Sequence, residues 1–167
     1  MNIFRQFQIK REIDKQTEIV QLSFERLETY YKKHFSMCYV PEYISLVIDF
    51  LKKQTGNNSI EFSMTIRFAL ETYDTTNGIY KSMLSRDDWL KIEPLRKYYR
   101  HKIIYDKGAL EEFKKMNEEF VEDFNKLMEL FHEASINTLN TQWETMGNKH
   151  NRIIEELNEH PKYENKE

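Results

Sequence analysis

The stretch ALEEFKKMNEEFVEDFNKLMELFHEA, residues 109–134, decides the fold. Its apolar residues Phe113, Met116, Phe120, Phe124, Leu127, Phe131 and Ala134 recur mostly at three- and four-residue steps, with Glu and Lys between them. That is the 3.6-residue period of a helix, not the two-residue alternation of a strand. The spacing predicts one long amphipathic helix, with a phenylalanine-rich face for packing and a charged face for solvent.

The same period recurs upstream. Ile9, Ile13, Val20, Phe24, Leu27 and Tyr31 predict a first helix that fades after Lys33 and His34, cations suited to its negative end. Pro41 opens a second helix through Tyr43, Ile44, Val47, Ile48 and Leu51, which Gly56 stops. Asn58 with Glu61 makes a capping-box-like start for a third, carrying Phe62, Ile66, Ala69, Leu70 and Tyr73. The run 75–78 breaks it before a resumption over 79–84. Ser85 with Asp88 starts a helix through Trp89, Leu90 and Ile92, in which Pro94 is a kink or a fresh start and which Gly108 ends. A break is expected at Gly147, followed by a short segment around Ile153, Ile154 and Leu157.

Four Gly and three Pro in 167 residues are too few for the turns of an all-β chain. The expected fold is all-α, an antiparallel helical bundle of about five to six helices with one long C-terminal helix. It should form a single domain over 1–158 and leave 159–167 as a polar, disordered tail.

No apolar run is long enough to span a membrane, and MNIFRQFQIKRE lacks the apolar core of a signal peptide. The single cysteine, Cys38, cannot form an internal disulfide, which points to a reducing, cytoplasmic setting. There is no Gly-rich phosphate loop, no G-x-S-x-G elbow and no Cys/His zinc spacing, so no cofactor and no metal are expected. The one E-x-x-H string, Glu129 to His132, reads as helix surface.

Charge is distributed unevenly. Residues 1–94 are neutral overall, residues 95–104 hold Arg96, Lys97, Arg100 and Lys102 without an acid, and residues 108–167 sum to −7. The basic island lies in LRKYYRHK, residues 95–102, which echoes LETYYKKH, residues 27–34. Continued helical spacing would bury Ile92, Leu95, Tyr99 and Ile103. It would place Arg96 and Arg100 on a second face, and Tyr98, His101 and Tyr105 on a third. Tyrosines among cations can stack on bases while Arg and Lys meet phosphates. They can equally anchor a protein interface. The candidate binding set is Arg96, Lys97, Tyr98, Arg100, His101 and Tyr105. Arg67 and Glu71, one turn apart, are a polar support pair.

The six-residue string Arg96-Lys-Tyr-Tyr-Arg-His101 resembles the R-x4–6-H motif of HEPN-domain ribonucleases, helical bundles that usually dimerise. The resemblance implies metal-independent RNA cleavage, with Arg96 stabilising phosphate charge and His101 positioning or activating the ribose hydroxyl. Residues five apart point about 140° apart on a regular helix, so a shared site needs a helix end, a distortion near Pro94 or a second subunit. Without a fuller catalytic constellation, the leading expectation is a non-enzymatic bundle that binds another macromolecule. A protein partner is favoured, a homodimer is in view, and no membrane partner is expected. HEPN-like cleavage by Arg96 and His101 is the alternative. Nucleic-acid binding through a basic helix over 96–107 is the third reading.

Overall fold

A computed structural model of the chain describes residues 2–76 and 83–166. In order they form α1 (Ile3–His34), β1 (Phe35–Tyr39), α2 (Tyr43–Thr55), α3 (Ile60–Thr76), α4 (Arg86–Arg100), β2 (His101–Tyr105), α5 (Ala109–Glu133), α6 (Gln142–Glu159) and β3 (Lys162–Glu164). Of the described residues 76% are helical, so the all-α expectation holds. Its longest helix is α1, with 32 residues, and not the C-terminal α5, with 25. Asn2 caps α1 through Oδ1, which accepts from the Arg5 N–H at 2.8 Å. No Gly or Pro interrupts the chain from there to His34.

Packing divides the chain into two compact units. One takes the segments up to Ser36, from Tyr105 to Glu155 and from Glu164 onward; the other takes Met37–Ile104 and Glu156–Tyr163. Each unit gathers segments far apart in the chain.

In the first unit α1 and α5 run antiparallel. The Tyr31 ring lies 5.7 Å from Phe113 and the Phe24 ring 5.3 Å from Phe120. At the far end Arg5 makes a two-point pair with Glu133, at 2.6 and 2.7 Å. α6 returns along α5, with Trp143 against Phe131 at 5.9 Å and His150 against Phe120 at 4.8 Å. Phe120 is fully buried at the centre of this packing, and burying such a side chain contributes roughly 1.5–3 kcal/mol. The break expected at Gly147 does not occur; α6 runs straight through it. A mid-helix glycine costs only about 1 kcal/mol, and the buried Trp143 and Ile153 on either side hold the helix in place.

In the second unit α2, α3 and α4 enclose Tyr43, Val47, Ile48, Leu51, Ile66, Ala69, Leu70, Trp89 and Ile92. Gly56 stops α2 in the left-handed region, at φ 70°, donating to the Lys52 carbonyl at 2.9 Å. The cap of α3 is Ser59 rather than Asn58, because Ser59 Oγ accepts from the Phe62 N–H at 3.2 Å. α3 continues to Thr76. Most of the break expected over 75–78, and of the resumption over 79–84, lies outside the described residues. Ser85 caps α4 as expected, accepting from the Asp88 N–H at 3.1 Å. Pro94 sits inside α4 without ending it.

Two corrections follow downstream. α4 ends at Arg100 rather than Gly108, and the supposed helix over 96–107 is a helix end followed by a strand. Gly108, at φ 78°, belongs to the turn that starts α5. The segment becomes a strand because its backbone finds partners outside itself. The Arg100 carbonyl accepts from the Val40 N–H at 2.9 Å, and the Ile103 N–H donates to the Pro161 carbonyl at 2.8 Å. The tail expected to be disordered carries β3 for the same reason, the Asn165 N–H reaching the Tyr105 carbonyl at 2.7 Å.

The sheet order is β1-β2-β3. Bonds joining 34 with 106 and 40 with 100 make β1 antiparallel to β2; those joining 161 with 103 and 165 with 105 make β3 parallel to it. LETYYKKH and LRKYYRHK thus share a structural role. Each closes a helix that passes without a loop into a strand.

Replacing Gly147 with Ala should raise stability by about 0.5–1 kcal/mol. The added Cβ would meet Phe124 Cζ at 3.7 Å, an ordinary contact distance. A urea titration with an unchanged or lower midpoint would show that the helix needs glycine there.

Candidate functional site

The candidate residues converge on α4 and the strand after it, but not as helical spacing alone suggests. Arg96 was expected on an open face; it is 5% exposed. Its guanidinium lies 3.9 Å over the Tyr73 ring of α3. It also donates to both oxygens of Glu93, at 2.9 and 3.3 Å. Asp74 Oδ1 approaches Arg96 Nη1 at 3.8 Å and Arg100 Nη2 at 3.5 Å. Burial alone would lower the Arg96 pKa, but Glu93, Tyr73 and Asp74 outweigh it and hold the group above the ordinary arginine value. A desolvated cation is tolerated here because carboxylates and a ring face surround it. The sequence signal for this was Glu93, three residues before Arg96. Asp74, on another helix, gave none.

His101 is the first residue of β2, so the helix does end between it and Arg96. The His101 ring packs edge-on against Tyr39, at 5.8 Å, and His160, at 5.7 Å. Burial, the Arg100 charge and His160 all lower its pKa, against a weaker opposing pull from Asp74. Asp74 is therefore common to the arginines and the histidine. Arg96 Nη1, Arg100 Nε, Asp74 Oδ1, His160 Nδ1 and Tyr43 Oη are buried with no hydrogen-bond partner among the described residues. All five belong to the second unit.

The remaining candidates separate. Lys97 and Tyr98 are exposed on α4. Tyr105 belongs to the first unit, where its ring stacks on Phe35 at 5.7 Å. Arg67 and Glu71 form an exposed pair at 3.5 Å on α3. Glu129 and His132 are exposed on α5, and no metal-binding cluster exists among the described residues. No described helix is long and apolar enough to cross a membrane.

Sequence reasoning missed the outer side of α3. Ile60, Met64 and Phe68, spaced by four, are 78%, 47% and 43% exposed. Ile66, Ala69 and Leu70 are buried on the other side of the same helix. The periodic apolar signal of Ile60, Met64 and Phe68 is present in the sequence, but the opposite stripe of Phe62, Ile66, Ala69, Leu70 and Tyr73 is the one that reads as core. No protein family, curated protein or solved structure matches the chain, so the functional reading rests on this geometry.

Replacing Arg96 with Ala should cost about 2–3 kcal/mol, below the 3–5 typical of a fully buried pair because Glu93 keeps partial exposure. Denaturant unfolding measures it; a loss under about 0.5 kcal/mol, the level of an ordinary surface change, would contradict the burial. The pH dependence has a definite sign. His101 and His150 both have lowered pKa values in the folded chain, burial being the first cause for each. Below the ordinary histidine value the unfolded chain therefore binds more protons, so stability falls as pH drops through that range. Unfolding midpoints should decrease from pH 7.5 to 5.5, and less steeply in His101→Gln.

Proposed function

We propose that the protein acts by binding another protein along the outer side of α3. The observation that carries this reading is the exposed row Ile60, Met64 and Phe68 on a helix already apolar on its inner side. A helix apolar on two sides has one side for its own core and one available to a partner. Leu46 and Phe50, four apart on α2, are likewise exposed. Glu61, exposed beside Ile60 at the start of the α3 row, suits a partner helix with apolar residues at four-residue steps and a basic residue near one end.

Catalysis by Arg96 and His101 has less support. The Arg96 guanidinium is already engaged by Glu93, Asp74 and Tyr73, and reaching a phosphate would mean breaking those contacts. A homodimer is one form of the binding reading.

The test is a paired measurement on wild type and a Met64→Glu/Phe68→Glu variant. Both substitutions lie on exposed positions, so the unfolding midpoint should barely move. Self-association by sedimentation, or the affinity for a captured partner, should fall at least about tenfold, the loss expected for a central apolar anchor. A strictly monomeric wild type that retains no partner would refute the reading, as would a variant that binds like wild type.

A further inference from the structure

The second unit brings together rings and cations that the sequence keeps far apart. Tyr39 on β1, His101 on β2 and His160 after α6 form a continuous row, with centroid separations of 5.8 and 5.7 Å. Next to His160, Glu159 lines an open groove of about 300 Å³ together with Glu93, Pro94, Lys97 and Tyr98 of α4. Tyr39 and Tyr98 are 52% and 38% exposed. Lys97 is exposed, and Arg100 is partly exposed beside its contact with Asp74. Two nearby carboxylates, Glu93 and Asp74, are engaged by the arginines, and residues 95–104 contain no acid.

Solvent-facing tyrosines beside cations match one kind of polymer especially well. An unpaired strand offers base faces for stacking and phosphates for Lys and Arg, whereas a duplex hides its base faces. An acidic peptide would use the cations and leave the rings without a role. We propose that this surface binds single-stranded nucleic acid, with bases stacked on Tyr39 and Tyr98 and phosphates held by Lys97 and Arg100. The proposal goes beyond the protein-binding reading and uses none of the α3 residues on which that reading rests. No contact here singles out a ribose 2′-hydroxyl, so RNA and DNA strands share the chemistry and the experiment separates them.

The experiment is fluorescence anisotropy on the full chain with labelled oligo(U) and oligo(dT) of about a dozen nucleotides, within the span such surfaces cover. A duplex of equal length and an oligo-glutamate peptide are the comparators. Single strands should bind at low salt, with log K falling against log salt at a slope of about −1.4 for two phosphate contacts. Tyr39→Ala and Tyr98→Ala should each weaken binding roughly five- to hundredfold. Lys97→Ala should weaken binding and flatten the salt slope by about 0.7. Met64→Glu/Phe68→Glu should bind like wild type, which separates this surface from the protein-binding one. Tighter binding of one strand type would assign the natural source and support the proposal. No binding at low salt, tyrosine variants equal to wild type, or equal affinity for the duplex or the glutamate peptide would each overturn it.

Discussion

The structure depends on where the backbone of residues 101–105 finds its hydrogen bonds. Having left the helix at Arg100, this segment must pair its N–H and C=O groups with other chain or with water. It pairs with β1 on one side and β3 on the other. Those bonds position Tyr39, His101 and the residues around His160, and they turn a nominal tail into part of the fold. Without them the basic island would be the end of one more amphipathic helix.

A second constraint is electrostatic. LRKYYRHK carries four cations and no acid, yet it does not present them alike. Arg96 is withdrawn from water and matched by Glu93, Asp74 and the Tyr73 ring, while Lys97 one residue later is in solvent. The withdrawn arginine fastens α4 to α3. That division explains how one short basic run can serve both packing and recognition: guanidinium tolerates desolvation beside carboxylates and rings, whereas ammonium is more strongly hydrated.

Much of the helical pattern was legible in the chain itself. Ser85 before Asp88, Gly56 after Lys52 and the 3.6-residue stripes of α1 and α5 are local signals, and local geometry honours them. The misreadings share a cause. Gly108 and Gly147 both read locally as stops, but one opens the next helix from a left-handed turn and the other is carried through by packing against α5. Ile103 and Ile104 fit a strand as well as a helix, and a short apolar run cannot choose between them. Of the candidate site, the residue types and the importance of 96–101 were visible. The burial of Arg96 was not, because Tyr73 and Asp74, which meet it, lie more than twenty residues away.

The sequence by itself determined that the chain is all-α, where many of its helices begin and end, and that its densest acid-free basic run follows Pro94. These follow from periodicity, capping and composition, which act over a few residues. Only the tertiary structure decided that the two echoed tyrosine stretches both run into strands of one sheet. It also decided that α3 keeps an apolar side uncovered in the chain, and that Tyr39, His101 and His160 stand in a row. The physical reason is that unpaired backbone and buried charge must be satisfied by whatever segment arrives, and sequence distance does not limit which one that is.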